Sequence, residues 1–211
     1  PGLFAPLDES EIFPIPAFRL PFHHQLWMLL AMNPAPLPRR RTADLGKGRI
    51  SIPGARYFIT LAARPRHINL TTPPAGMRLV ECLVGLCTPA DGTLLCATLM
   101  PDHLHVLLAL GSRLPLNRLV ARFKTQTRRM LPAGASWQRN FFEHRLRPDE
   151  SANEYARYIF LNPYRRKRLA LQDHWPFWIL GTGADFDFLH QSDAGGCPPL
   201  MWLDAPPPAF V

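Results

Sequence analysis

Thr93-Leu-Leu-Cys-Ala-Thr-Leu-Met-Pro-Asp-His-Leu-His-Val-Leu-Leu-Ala-Leu110 is two short apolar runs broken at Pro101-Asp102. Runs of this length around such a break predict an antiparallel strand pair, Thr93 to Met100 and His103 to Leu110. Side chains alternate faces along a strand, so Leu104, Val106, Leu108 and Leu110 point into a core while His103 and His105 share the other face. Two imidazoles side by side on an apolar strand call for an explanation. A divalent metal is one, since neutral imidazole is its commonest nitrogen ligand. The plainer one is a pair of hydrogen-bonded histidines at a sheet surface.

Working outward, Arg56-Tyr-Phe-Ile-Thr-Leu-Ala-Ala63 is β-branched and aromatic and stops at Pro65, which predicts a first strand. Thr72 is placed to cap a helix with Pro73 at its first position, followed by Met77, Val80, Leu83 and Cys87 at helical spacing. After the strand pair, Leu116, Leu119, Val120, Phe123 and Met130 make one face of a second helix, from about Pro115 to Leu131. Ser151-Ala-Asn-Glu154 supplies a capping box for a third helix that should end before Pro163, and a further strand is expected near Phe141 to Leu146. This order predicts an α+β fold: a small antiparallel sheet with helices on one face, related to the ferredoxin-like split βαβ arrangement.

The 211 residues include 24 prolines, which concentrate at the two ends. Residues 1–48 are therefore expected to form a Pro-rich extension, 49–180 the folded domain and 181–211 a C-terminal tail. The apolar patch Phe22 to Met32 is expected to be a short docked helix over part of the core. A 47% hydrophobic composition excludes a disordered polyelectrolyte. No apolar run approaches the roughly 20 residues of a membrane helix. Cys82, Cys87, Cys96 and Cys197 lack zinc-site spacing, so buried free thiols are expected. That pattern, with no segment read as a signal peptide, predicts a cytoplasmic protein.

The net charge is +8 with a pI near 9.9. Residues 113 to 168 hold 14 Lys+Arg against Glu143, Asp149, Glu150 and Glu154, a balance of +10, which leaves −2 for the rest. An Arg-rich block in an otherwise near-neutral chain is the footprint of a phosphate-backbone binder. The alternative is a solvated basic face.

On the third helix Glu154, Tyr158 and Asn162 are four apart and share a stripe. Tyr158 is a candidate nucleophile, and the Asn162 amide is a candidate third ligand beside the two histidines. Glu154 competes for that place unless its capping box consumes it. Tyr155 and Tyr158 are equal candidates by spacing, and either is also a plausible core aromatic with its hydroxyl at the surface.

Three motifs resemble a known family. Met100-Pro-Asp-His-Leu-His-Val-Leu107 resembles the Met-Pro-Asn/Asp-His-Val-His-Leu-Leu signature of the HUH single-tyrosine transposases. Tyr158-Ile-Phe-Leu-Asn-Pro163 is similar to the Tyr-Ile-His-Leu-Asn-Pro-Val-Arg of the REP-associated branch, which is bacterial. Trp137-Gln-Arg-Asn-Phe-Phe-Glu-His-Arg-Leu-Arg147 resembles that branch's Trp-Gln-x-x-Tyr-Tyr-Asp-His-x-Ile-Arg. The likeness covers about residues 56 to 178, with Tyr164 and Arg166 standing where Val and Ala are usual.

The resemblance implies an HUH palm and a nucleoid-associated transposase. It singles out Tyr158 as the catalytic tyrosine, His103 and His105 as metal ligands and Asn162 as the third. It implies a Mg²⁺ or Mn²⁺ cofactor and single-stranded DNA near a REP-like palindromic hairpin, cut and rejoined through a 5′-phosphotyrosine link. Relatives include monomers and homodimers. Arg118, Arg122, Lys124, Arg128 and Arg129 would then hold backbone phosphates, and Arg165, Arg166 and Arg168 the flanking strand. Two other readings remain: a hairpin DNA- or RNA-binding protein that does not cut, and a structural basic protein in which these residues only pack.

Overall fold

The structure is a computed structural model that describes residues 50–192 and 196–208. All of these belong to one compact unit. The N-terminal extension, including the helix expected at Phe22 to Met32, lies outside the described residues.

The fold is α+β, built on an antiparallel sheet. Strand β3 (His103–Leu110) runs along its middle, antiparallel to β1 (Arg56–Arg64) on one side and to β2 (Gly92–Leu99) on the other. Beyond β2 lies β6 (Trp178–Leu180), while β4 (Ser136–Trp137) and β5 (Phe142–Arg145) both pair with β1. Among the described residues three α-helices complete it: α1 (Ala75–Leu86), α2 (Leu116–Thr127) and α3 (Ala152–Arg165).

The class is the one expected, but the helices lie on both faces, not one. Leu104, Val106, Leu108 and Leu110 pack with the apolar faces of α1 and α2. Phe58, Cys96 and Leu107 point the other way and pack with Tyr155, Ile159 and Phe160 of α3. The central strand is buried without interruption from Leu104 to Leu108, as a strand covered on both faces must be. The alternation of His and Leu hid this, because it reads as a strand with one wet face.

Several local expectations are corrected. Helix α1 starts at Ala75 with no side-chain cap; the Thr72 hydroxyl donates instead to the Asn69 carbonyl, 3.2 Å away. Leu116 at the start of α2 donates its N–H to Ser51 Oγ, at 3.0 Å, a partner 65 residues away. No side-chain cap forms at Ser151, so the capping box is absent and Glu154 is left at the surface.

Helix α3 runs through Pro163 to Arg165. Pro163 has no N–H to offer the Ile159 carbonyl, so the helix forgoes one bond near its end. Lys167 then takes a left-handed conformation, φ 51°, and its N–H donates to the Tyr164 carbonyl at 2.9 Å while Arg168 N–H donates to the Pro163 carbonyl at 3.0 Å. These two bonds are the Schellman pattern that closes a helix.

The stretch expected as a C-terminal tail packs against the domain. Phe186, Phe188 and Trp202 are buried in the cluster under α3, on 3-10 turns at Asp187–Gln191 and Leu200–Asp204. Burying three large aromatics contributes several kcal/mol, about 1.5–3 for each side chain. All four cysteines are free, Cys96 and Cys197 buried and Cys82 and Cys87 partly so. Among the described residues no helix is long and apolar enough to cross a membrane.

Candidate active site

The face of the sheet under α3 brings four of the singled-out residues together. The register sets Thr60 of β1 and Thr98 of β2 on either side of His105, and Ala62 opposite His103. His103 Nε2 and His105 Nε2 converge to 3.0 Å. Each ring is held from behind: His103 Nδ1 lies 2.7 Å from Asp102 Oδ1, and His105 Nδ1 lies 2.9 Å from Thr60 Oγ1. Phe58 stacks on His105 with ring centroids 5.3 Å apart.

Helix α3 lays Tyr158 and Asn162 over this pair. The Tyr158 ring meets His105 edge-on at 5.7 Å and Phe58 at 5.9 Å. One turn later Asn162 Nδ2 is 3.3 Å from His105 Nε2, and Asn162 Oδ1 is buried with no hydrogen-bond partner. Tyr155, the other candidate, faces away. It is 1% exposed, stacks on His144, and donates its hydroxyl to Glu150 at 3.2 Å. Burial, then the Glu150 charge, pushes the Tyr155 hydroxyl up to about 12, which suits a packed phenol and not a nucleophile.

Electrostatics favour neutral imidazoles. Burial holds His105 well below its ordinary value, aided by the neighbouring His103 and Arg166. Burial also lowers His103, against the opposing pull of Asp102. A neutral ring is the form that can ligate a cation.

The donor set fits a divalent metal. Two imidazole nitrogens converge, and the orphaned amide oxygen of Asn162 sits on the same side chain that touches His105. The two ends of an amide are isosteric, so a half-turn directs that oxygen at the histidines. A buried acceptor without a donor costs about 1–3 kcal/mol, a cost that a cation would remove. Among the described residues no group of three or more His, Cys, Asp and Glu side chains could hold a metal ion, so a cation here would need a donor of another type, and the Asn162 amide oxygen is such a donor. Glu154 lines a different cleft, with Arg157, Tyr158, Arg165 and Pro206 to Pro208.

The basic residues divide. Arg166 and Arg168 border a cleft beside His103, together with Arg66, His67, Asn69 and Asp102. Arg165 turns to the Tyr158 side, its guanidinium carbon 6.0 Å from that ring, and donates to the Trp202 and Ala205 carbonyls at 3.0 and 2.8 Å. The α2 set is not part of the site. Lys124 Nζ donates to the carbonyls of Gln138, Arg139 and Asn140, and Arg122 pairs with buried Asp91 at 3.1 Å alongside Arg113. Arg118, Arg128 and Arg129 are exposed on or just past the same helix, which covers the sheet face opposite His103 and His105. Charge counting grouped residues that the sheet separates.

Sequence reasoning missed Thr60, Phe58, Asp102, Arg66 and His67. The antiparallel register carried the signal for Thr60, since pairing two alternating strands puts some β1 residue opposite each histidine. The loop residues carried none.

Known proteins resemble this chain in sequence and in fold. The family model described as "Transposase IS200 like" matches residues 53–159, a span that includes both histidines and Tyr158 and stops short of Asn162. A Haemophilus influenzae protein assigned as a REP-associated tyrosine transposase is 27% identical over 117 residues, which is 48% of this chain and 66% of that protein. In fold, the chain is similar to a REP-associated tyrosine transposase solved bound to a REP hairpin, with a TM-score of 0.54 and 21% identity over 75% of this chain and 88% of the other. A Deinococcus radiodurans protein assigned as a transposase gives a TM-score of 0.39 at 23% identity, over 59% and 98%. With the family match spanning half its length, the chain belongs to the IS200-like transposase family.

Proposed function

We propose that this protein is a metal-dependent single-stranded DNA endonuclease and strand transferase that acts near palindromic hairpin repeats through a 5′-phosphotyrosine intermediate. The observation that carries the proposal is the convergence of Tyr158, His103, His105 and the orphaned Asn162 amide oxygen on one sheet face.

His103, His105 and Asn162 would hold Mg²⁺ or Mn²⁺, which supplies charge neutralisation and polarisation at the scissile phosphate. Asp102 can accept from His103 Nδ1 and Thr60 can accept from His105 Nδ1, the pair of tautomers that leaves both Nε2 lone pairs free at the front. Tyr158 Oη attacks phosphorus and becomes the 5′-phosphotyrosine. The 3′-hydroxyl that departs can attack that link later, restoring Tyr158 and rejoining DNA. Arg166 and Arg168 supply cations at the edge of the site. The hairpin partner is supported by the hairpin-bound structure similar in fold.

The test is a denaturing gel after incubation with a labelled single-stranded hairpin oligonucleotide and Mn²⁺. A covalent band that requires Tyr158 is expected. Tight binding with no band would replace the proposal with a non-cutting hairpin binder, and neither would remove the DNA from it.

A further inference from the structure

We infer that the cleft lined by Arg66, His67, Asp102, His103, Arg166 and Arg168 holds the DNA segment on the 5′ side of the cut, the one that departs with the free 3′-hydroxyl. This rests on the tyrosine-transfer reading above and assigns a direction to the strand.

Tyr158 and Asn162 on α3 and Arg166 at its C-cap follow one another at four-residue spacing, a row about 12 Å long at 1.5 Å per residue. Beneath them lie the paired histidines of the sheet. The Tyr158 ring is 5.7 Å from that of His105, the His105 ring is 4.5 Å from that of His103, and His103 borders the cleft with Arg166 and Arg168. The succession from Tyr158 to His105 to His103 therefore leads to the cleft.

Phosphoryl transfer proceeds with entering and leaving oxygens roughly in line. The bond from Tyr158 Oη to phosphorus forms as the bond from phosphorus to O3′ breaks. The tyrosine proton passes to solvent, and the departing alkoxide takes a proton from solvent. A phosphorus bound over the imidazole pair with Tyr158 at one apex would set O3′ at the other, toward the side where His103 borders the cleft.

Charge is distributed to match. Arg66, Arg166 and Arg168 are all exposed, and the one carboxylate among them, Asp102, is engaged with His103 at 2.7 Å. The cleft on the other side of Tyr158 combines Arg157 and Arg165 with Glu154 and three prolines, and Arg165 is already committed to two carbonyls. The cation-rich side is the one that must retain a fragment no longer joined covalently.

The experiment compares wild type with the Arg66→Ala/Arg168→Ala double variant, both substitutions at exposed positions. The cut is first mapped on the hairpin oligonucleotide by the Tyr158 adduct. Affinities are then measured for the two halves made separately, one ending in the 3′-hydroxyl and one beginning at the 5′-phosphate. The double variant should bind the 3′-hydroxyl half roughly tenfold more weakly and the other half as wild type does. An Arg118→Ala/Arg129→Ala variant, which removes equal charge from the opposite side of the sheet, should leave the ratio of the two affinities unchanged. Equal weakening of both halves, or weakening of the 5′-phosphate half alone, would overturn the direction while leaving the tyrosine chemistry intact. No adduct from wild type would overturn both.

Discussion

Thr60 Oγ1 stands 2.9 Å from His105 Nδ1, on the side of the ring opposite the one His105 turns to His103. A hydroxyl can donate or accept, so Thr60 can serve either tautomer of His105. When Thr60 donates to Nδ1, the His105 Nε2 proton can bridge the 3.0 Å to His103 Nε2. When it accepts from Nδ1, both Nε2 lone pairs face the front. Thr60→Val should therefore weaken Mn²⁺ binding by about 10- to 100-fold, the usual cost of losing a partner behind a ligand, and Thr60→Ser should restore it. Titration of Mn²⁺ followed by electron paramagnetic resonance checks both, and unchanged affinity in Thr60→Val would remove the hydroxyl from the site.

The two tyrosines of α3 should separate cleanly. Tyr158→Phe keeps the ring against Phe58 and His105 and should abolish the covalent adduct with hairpin affinity near wild type. Tyr155→Phe loses the hydroxyl bond to Glu150 and should cost about 1 kcal/mol in stability, with the adduct retained. Adduct gels and urea unfolding of the two variants give the answer.

Folding stability should fall on acidification. In the unfolded chain both histidines titrate near pH 6.5, whereas in the fold His105 is held well below that and His103 below it. Above about pH 6.5 neither state takes a proton and the pair adds no slope. Below it the unfolded state binds protons that the folded state refuses, so stability is lost as pH drops from there toward the folded values. Urea unfolding at pH 7.5 and 5.5 should show the loss, and a His103→Gln/His105→Gln variant should show a smaller one.

What one strand or helix contains could be read in advance; what two elements create between them could not. The His103/His105 alternation and the Tyr158/Asn162 stripe lie within single elements, and the structure keeps both. Thr60 acquires its place only through the register of β1 on β3. Strands β4 and β6 span two and three residues, too short for any periodicity to mark. Residues 181–211 read as a tail because prolines crowd the end of the chain, yet Phe186, Phe188 and Trp202 reach one aromatic cluster from turns that carry no repeat. The basic block misled because a count along the chain cannot tell which face of a sheet a charge occupies.

Lys124 marks that difference. Its three carbonyl contacts tie α2 to the Gln138–Asn140 loop. Lys124→Met should keep the stem, lower stability by about 1–2 kcal/mol and leave the adduct yield per folded molecule unchanged. Thermal unfolding and the adduct gel together decide it; a lost adduct at full stability would return Lys124 to the DNA.

Lys167→Gly should stabilise the protein by roughly 0.5–1 kcal/mol, because glycine accepts the left-handed conformation that lysine adopts here at φ 51°. A drop in stability would show that the lysine side chain matters more than its backbone.

The same reversal gives the run from Arg165 to Arg168 a syntax. Arg165 faces the tyrosine and the folded C-terminal turns, while Arg166 and Arg168 line the cleft beside His103, and the sorting depends on where the backbone turns back. Four cations in another order, or the same four without the turn, would have equal charge and a different address for each. A segment easily dismissed as a patch of positive charge works as an ordered word, and shuffling its letters should scramble its meaning without changing its composition.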